Sequence, residues 1–86
     1  MMGMTFGEDL GPKKVTGMKA DHHCEVFIDG ERYGYLYKGN GIYEYRGRPV
    51  GVDELSWVAR IDKRDVVNAL VSSLEKRPNL EQAQRA

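Results

Sequence analysis

Cysteine is nearly absent from this 86-residue chain. Cys24 stands alone, so no disulfide forms within the chain and a reducing compartment such as the cytoplasm is the expectation. No apolar run approaches the length of a membrane span or of a signal-peptide core. Net charge is absent too, with thirteen basic and thirteen acidic residues, which sets the chain apart from strongly basic domains that hold nucleic acid by neutralising phosphates. Only two histidines are present, and they are adjacent; no serine lies in a nucleophile-elbow context. Glycine is plentiful, yet Gly39-Asn40-Gly41 has neither the lysine nor the following helix of a phosphate-binding loop. Catalysis and a bound cofactor are therefore not expected, and at this length the chain forms one small domain of marginal size for a stable monomer.

Tyrosine is what the chain concentrates. All five lie between Tyr33 and Tyr45: three at period two, then Gly39-Asn40-Gly41, then two more at period two, a pattern that predicts a hairpin. A three-residue loop at that turn sets Tyr37 opposite Tyr43 and Tyr35 opposite Tyr45. Upstream, Cys24, Val26 and Ile28 alternate with Glu25, Phe27 and Asp29, and Asp29-Gly30 suits a tight type I′ turn. That turn pairs Val26 with Tyr33 and Cys24 with Tyr35. One face of the predicted sheet thus carries Cys24, Val26, Ile28 and the five tyrosines, while Glu25, Phe27, Arg32, Leu36, Lys38 and Glu44 share the other. If so, Tyr35 is buried, and Tyr35→Ser costs about 3–5 kcal/mol.

Around this hairpin the rest is simpler. Residues 1–20 carry four glycines, Pro12 and no sustained period, and read as a flexible arm, with Val15 to Met18 as a short edge strand at most. The heptapeptide from Ile28 to Gly34 is echoed from Tyr45 to Gly51, which suggests a second turn at Arg46-Gly47 and a strand from Arg48 that returns Val50 and Val52 to the tyrosine face. Leu55, Trp57, Ala59 and Ile61 alternate like a strand, although Asp53 and Glu54 would also open a helix. Asp62 to Arg77 reads as a helix: Asp62 caps it, Val66, Val67, Leu70, Val71 and Leu74 form an apolar stripe, and Pro78 ends it. The expected fold class is α+β, a small antiparallel meander of about four strands with one C-terminal helix on its tyrosine face. The domain spans 21–78, between the arm and a frayed tail over 79–86.

Two stretches bear on function. Asp21-His22-His23-Cys24 resembles the four-residue signature of the palmitoyltransferases, a family of integral membrane proteins with a cysteine-rich zinc-binding segment. The resemblance covers those four residues alone, in a chain with no second cysteine and no span, and assigns nothing. As metal ligands, His22, Cys24 and Asp21 fall short of the four that a structural zinc site requires, so no metal is expected. Residues 32–48 hold four basic groups against one acidic, the only basic stretch in the chain. With the tyrosine face under the helix, the predicted binding surface is the reverse one: Phe27, Arg32 and Lys38 with the turn residues Arg46 and Arg48. The function that follows is a small non-enzymatic module that works through protein contact, self-association included, of the bacterial accessory or mobile-element type. The competing reading is a nucleic-acid-binding domain that uses the same basic face and turn.

Overall fold

A computed structural model of the chain describes residues 3–85, with side chains described as far as residue 76. The elements are β1 (Met4–Phe6), β2 (Lys13–Val15), β3 (Met18–Ala20), β4 (His22–Ile28), β5 (Glu31–Gly39), β6 (Ile42–Val50), β7 (Leu55–Arg60) and α1 (Lys63–Arg85). The fold is α+β. Its main sheet has five antiparallel strands in the order β1-β4-β5-β6-β7, β2 and β3 form a separate two-stranded sheet, and α1 packs on β6 and β7. This exceeds the expected meander of about four strands because the first twenty residues are not a free arm. Met4 and Phe6 pair with Ile28 and Val26 at the β4 edge and join the core, and β2 and β3 make a hairpin of their own. Strands of three residues are too short for a period to show in sequence.

Both tight turns fall where expected, but the register departs by one residue, beyond the first turn and at the second. At Asp29-Gly30 both residues have positive φ, as a type I′ turn requires, and Phe27 pairs with Arg32. A bulge at Tyr33 then leaves that residue without a cross-strand partner, so Val26 pairs with Gly34 and Cys24 with Leu36. The second turn uses two residues rather than three. Asn40 and Gly41 both take positive φ, Gly39 pairs with Ile42, and Tyr37 faces Glu44 instead of Tyr43. Because side chains alternate across a strand, each slip exchanges the two faces.

The single tyrosine face is therefore a pair of partial ones. Tyr33, Tyr43 and Tyr45 lie on the helix side with Val26, Ile28, Leu36, Val50, Val58 and the α1 residues Val66, Leu70 and Leu74. Tyr35 and Tyr37 lie on the reverse, in a smaller core with Met18, Ala20, Val15 and Ile42. Leu36, expected on the solvated side, is buried; Tyr35, expected inside, is half-buried; the fully buried tyrosine is Tyr45. The β2–β3 hairpin supplies the cover for the reverse face, so the sheet is packed on both sides.

The echo at Arg46-Gly47 is not a turn. β6 continues through it, with an irregular register against β7 between Arg46 and Val50, and Gly47 lies opposite Gly34 on β5. A Cβ on Gly34 would sit 2.6 Å from the Gly47 Cα, and one on Gly47 would strike the Tyr33 carbonyl, so the second glycine serves close strand approach rather than reversal. The chain reverses four residues later, over 51–54, and β7 then forms as a strand.

The helix starts as the sequence predicts. Asp62 Oδ1 accepts the Arg64 amide at 2.9 Å, and the Asp62 carbonyl accepts the Asp65 amide. Its buried stripe runs through Val66, Leu70, Ser73 and Leu74, leaving Val67 and Val71 half-exposed on its flank. The Ser73 hydroxyl donates to the Val50 carbonyl at 2.7 Å and ties the helix to the end of β6. The helical backbone continues past Pro78 to Arg85, beyond the end at Arg77 that the proline suggested. Leu80, Glu81, Gln82, Ala83, Gln84 and Arg85 are all good helix formers, which works against the breaking effect of one proline.

Candidate functional site

The five residues singled out for binding do not share one surface. Phe27 and Arg32 are a cross-strand pair on the reverse face, where the Arg32 guanidinium reaches Glu25 at 3.2 Å and lies over the Tyr35 ring. Arg46 is also on the reverse face but folded inward, bonded through Nε to the nearly buried Glu44 carboxylate and lying over the Tyr37 ring. Arg48 pairs with Glu31 at 3.3 Å and sits 4.2 Å from the centroid of the Tyr33 ring. Lys38 is on the opposite side of the sheet, exposed, with its ammonium 5.4 Å from the centroid of Tyr43. Three of the four cations thus already face a carboxylate. A phosphate would have to compete with that partner for each of them.

Glu44 is the polar centre of the reverse face. It accepts from Trp57 Nε1 at 2.7 Å as well as from Arg46, so a carboxylate only 4 % exposed keeps two donors and a counter-charge. The chain matches no family model, no curated protein and no solved structure. Beside Glu44, the rings of His23, Tyr35 and Tyr37 lie about 6 Å apart in a tilted and stacked trio under the β2–β3 hairpin. Burial pushes the Tyr37 hydroxyl pKa up.

Leu55, Trp57 and Ala59 alternate along β7, but Trp57 does not face the helix. It is in fact 57 % exposed, and Val58 is the inward residue of β7. The sequence signal that separates them is weak: only the pairing of Tyr45 with Val58 and of Arg46 with Trp57 decides which of the two faces the helix. Together with Ile61, 81 % exposed just beyond the strand, Trp57 leaves two large apolar side chains on the β7 border.

On the helix side, at the opposite end of β4, lies a cleft of about 290 Å³. Phe6, Leu36, Tyr43 and Cys24 wall it, and Asp9, His22, Lys38 and Lys63 stand among its lining residues. Asp9 closes the N-terminal loop over β4: its carboxylate accepts the Gly11 amide at 2.9 Å and meets His22 Nδ1 at 2.7 Å, and those contacts hold its pKa below the ordinary carboxylate value. His22 thus takes Asp9 as its carboxylate partner, whereas the Asp21 amide bonds to the Lys38 carbonyl. Among the described residues no three histidine, cysteine or carboxylate side chains converge as metal ligands. Burial pushes the Cys24 thiol pKa up, which lowers its thiolate fraction. No described helix is long and apolar enough to cross a membrane.

Proposed function

We propose that the protein is a small non-catalytic binding module that works through protein contact along the β7 edge, with a second copy of itself as the partner. One observation carries the reading. β7 is a six-residue border strand with no outer neighbour among the described residues, and it has exposed Trp57 and Ile61 beside it. Isolated sheet edges are commonly blunted by brevity, lysine, proline or a bulge. The other border, β1, is blunted by its three-residue length; β7 has Arg60 at its end and no lysine or proline along it, and the irregularity in its pairing with β6 lies at its start, between Leu55 and Trp57. Two antiparallel copies of one border strand meet around a twofold axis, which makes the contact self-complementary and closed. A chain of this size also gains from burying further apolar area on assembly.

Light scattering across a concentration series tests this. A dimer is expected in the wild type, and a monomer in Ser56→Lys/Ile61→Lys, which puts charge on two exposed border positions while the circular dichroism spectrum stays unchanged. A wild-type monomer at high micromolar concentration would refute self-association. Retention on heparin at low salt, lost at moderate salt, would instead move the reading to nucleic acid.

A further inference from the structure

The cleft on the helix side has a distribution of charge that the edge reading does not use. His22, Lys38, Tyr43 and Arg60 are successive cross-strand partners on β4, β5, β6 and β7, forming one lateral row at the end of the sheet where α1 begins. Lys63 and Arg64 open that helix, an unfavourable place for cations because the helix N-terminus is itself positive. Asp62 and Asp65 belong to the same turn, but Asp62 is spent on capping. Among the described residues Lys38 and Lys63 have no carboxylate partner, in contrast to Arg32, Arg46, Arg48 and Lys76. Neither ammonium is extended into solvent away from the protein. Lys38 lies over the Tyr43 ring and Lys63 lies 4.9 Å from the centroid of Phe6, and both rings are walls of the cleft.

From this geometry we infer that the cleft is a binding site for a small amphiphilic anion, a carboxylate with an apolar body. Its volume of about 290 Å³ is just below the roughly 300–1,000 Å³ typical of small-molecule sites, which suits a medium-chain acid. The apolar body occupies the space between Phe6, Leu36 and Tyr43. The head group meets Lys38 and Lys63, which exchange a ring face for a charge-assisted hydrogen bond. Both Asp9 oxygens are engaged by the Gly11 amide and His22 Nδ1 and by neither lysine, which leaves Lys38 and Lys63 to the head group.

Titration of the full chain with octanoate and with octanamide, followed in amide correlation spectra, tests the site. Octanoate is expected to shift Gly7, Cys24, Leu36, Lys38 and Tyr43 together, and the neutral amide to bind at least about tenfold more weakly. The variant Lys38→Gln/Lys63→Gln, whose two positions are exposed, should keep the wild-type spectrum and lose about tenfold in octanoate affinity, the equivalent of one good charge-assisted contact. Octanoate should also slow alkylation of Cys24 by a neutral maleimide. Equal binding of acid and amide, shifts centred on Trp57, or an unchanged affinity in the variant would overturn the assignment. None of these readouts depends on the oligomeric state, so the site and the edge contact stand or fall separately.

Discussion

The register of β5 can be decided by two neighbouring substitutions. In the arrangement expected from the tyrosine pattern, Tyr35 is core and Leu36 is solvated; in the structure the order is reversed. Leu36 is 4 % exposed and packs between Cys24 and Tyr45, its partners on β4 and β6. Truncating such a leucine costs about 2–5 kcal/mol, depending on the cavity that remains. Leu36 also borders the open cleft, so the space left by Leu36→Ala would be reached by water, which favours the lower half of that range, about 2–3 kcal/mol. Tyr35 is half-buried beneath the β2–β3 hairpin, and Tyr35→Ala forfeits only part of an aromatic burial, about 1–2 kcal/mol. For a chain of this length each kcal/mol moves the melting temperature by roughly 4–8 °C, so the two variants should separate clearly in urea and thermal unfolding followed by circular dichroism. Leu36→Ala is expected to be the weaker protein. If Tyr35→Ala proves the more destabilising of the two, the bulge at Tyr33 and the two-residue turn at Asn40-Gly41 are both misplaced.

Three other outcomes follow from particular contacts. The Tyr45 hydroxyl, fully buried and donating to the Arg48 carbonyl at 2.7 Å, has its pKa pushed up to about 12 by burial, against 10.0 for a free tyrosine. The unfolded chain therefore releases that proton first, and stability should fall as pH rises from about 10 to 12, by about 2–3 kcal/mol over the window. Tyr45→Phe should flatten this slope in urea midpoints measured against pH, and an unchanged slope would discount the assignment. Gly47→Ala should destabilise by several kcal/mol, or unfold the protein, because its methyl group meets the β5 backbone; an unaffected melting temperature would show that the strands can separate there at little cost. Ser73→Ala should cost about 1–3 kcal/mol by leaving the Val50 carbonyl without its donor, and chemical denaturation that shows no loss would mean the carbonyl finds water.

Much of the fold was legible because short-range chemistry set it. Asp29-Gly30 and Asn40-Gly41 announce reversals through residues that tolerate positive φ, and Asp62 with the stripe from Val66 announces the helix. Register was not legible, for a physical reason. An alternating strand reads equally well in either phase, and one bulge residue at Tyr33 or one residue of loop length at Gly39 changes which phase is inward. The tyrosines made the wrong phase attractive because their rings satisfy an apolar face as well as leucine does. Gly47 misled in another way, since a glycine between two arginines looks like a turn when its use is to let two backbones approach. The carboxylate partners of Arg32, Arg46 and Arg48 were not legible either. Glu25, Glu31 and Glu44 reach Arg32, Arg48 and Arg46 only once the strands are paired. The cleft was equally invisible, because it joins Asp9, His22, Lys38 and Lys63 from four separate parts of the chain.

The sheet's two packed faces draw on different lengths of polypeptide. The reverse core, made by Val15, Met18, Ala20, Tyr35, Tyr37 and Ile42, is complete within residues 15–42, whereas the helix-side core needs Met4 at one extreme and Leu74 at the other. A chain emerging from the N-terminus therefore has all of one hydrophobic layer before most of the other's far wall exists. In the interval, Val26, Ile28 and Leu36 form an apolar sheet surface with no helix to cover it, and the order of synthesis makes α1 the last piece to shield it.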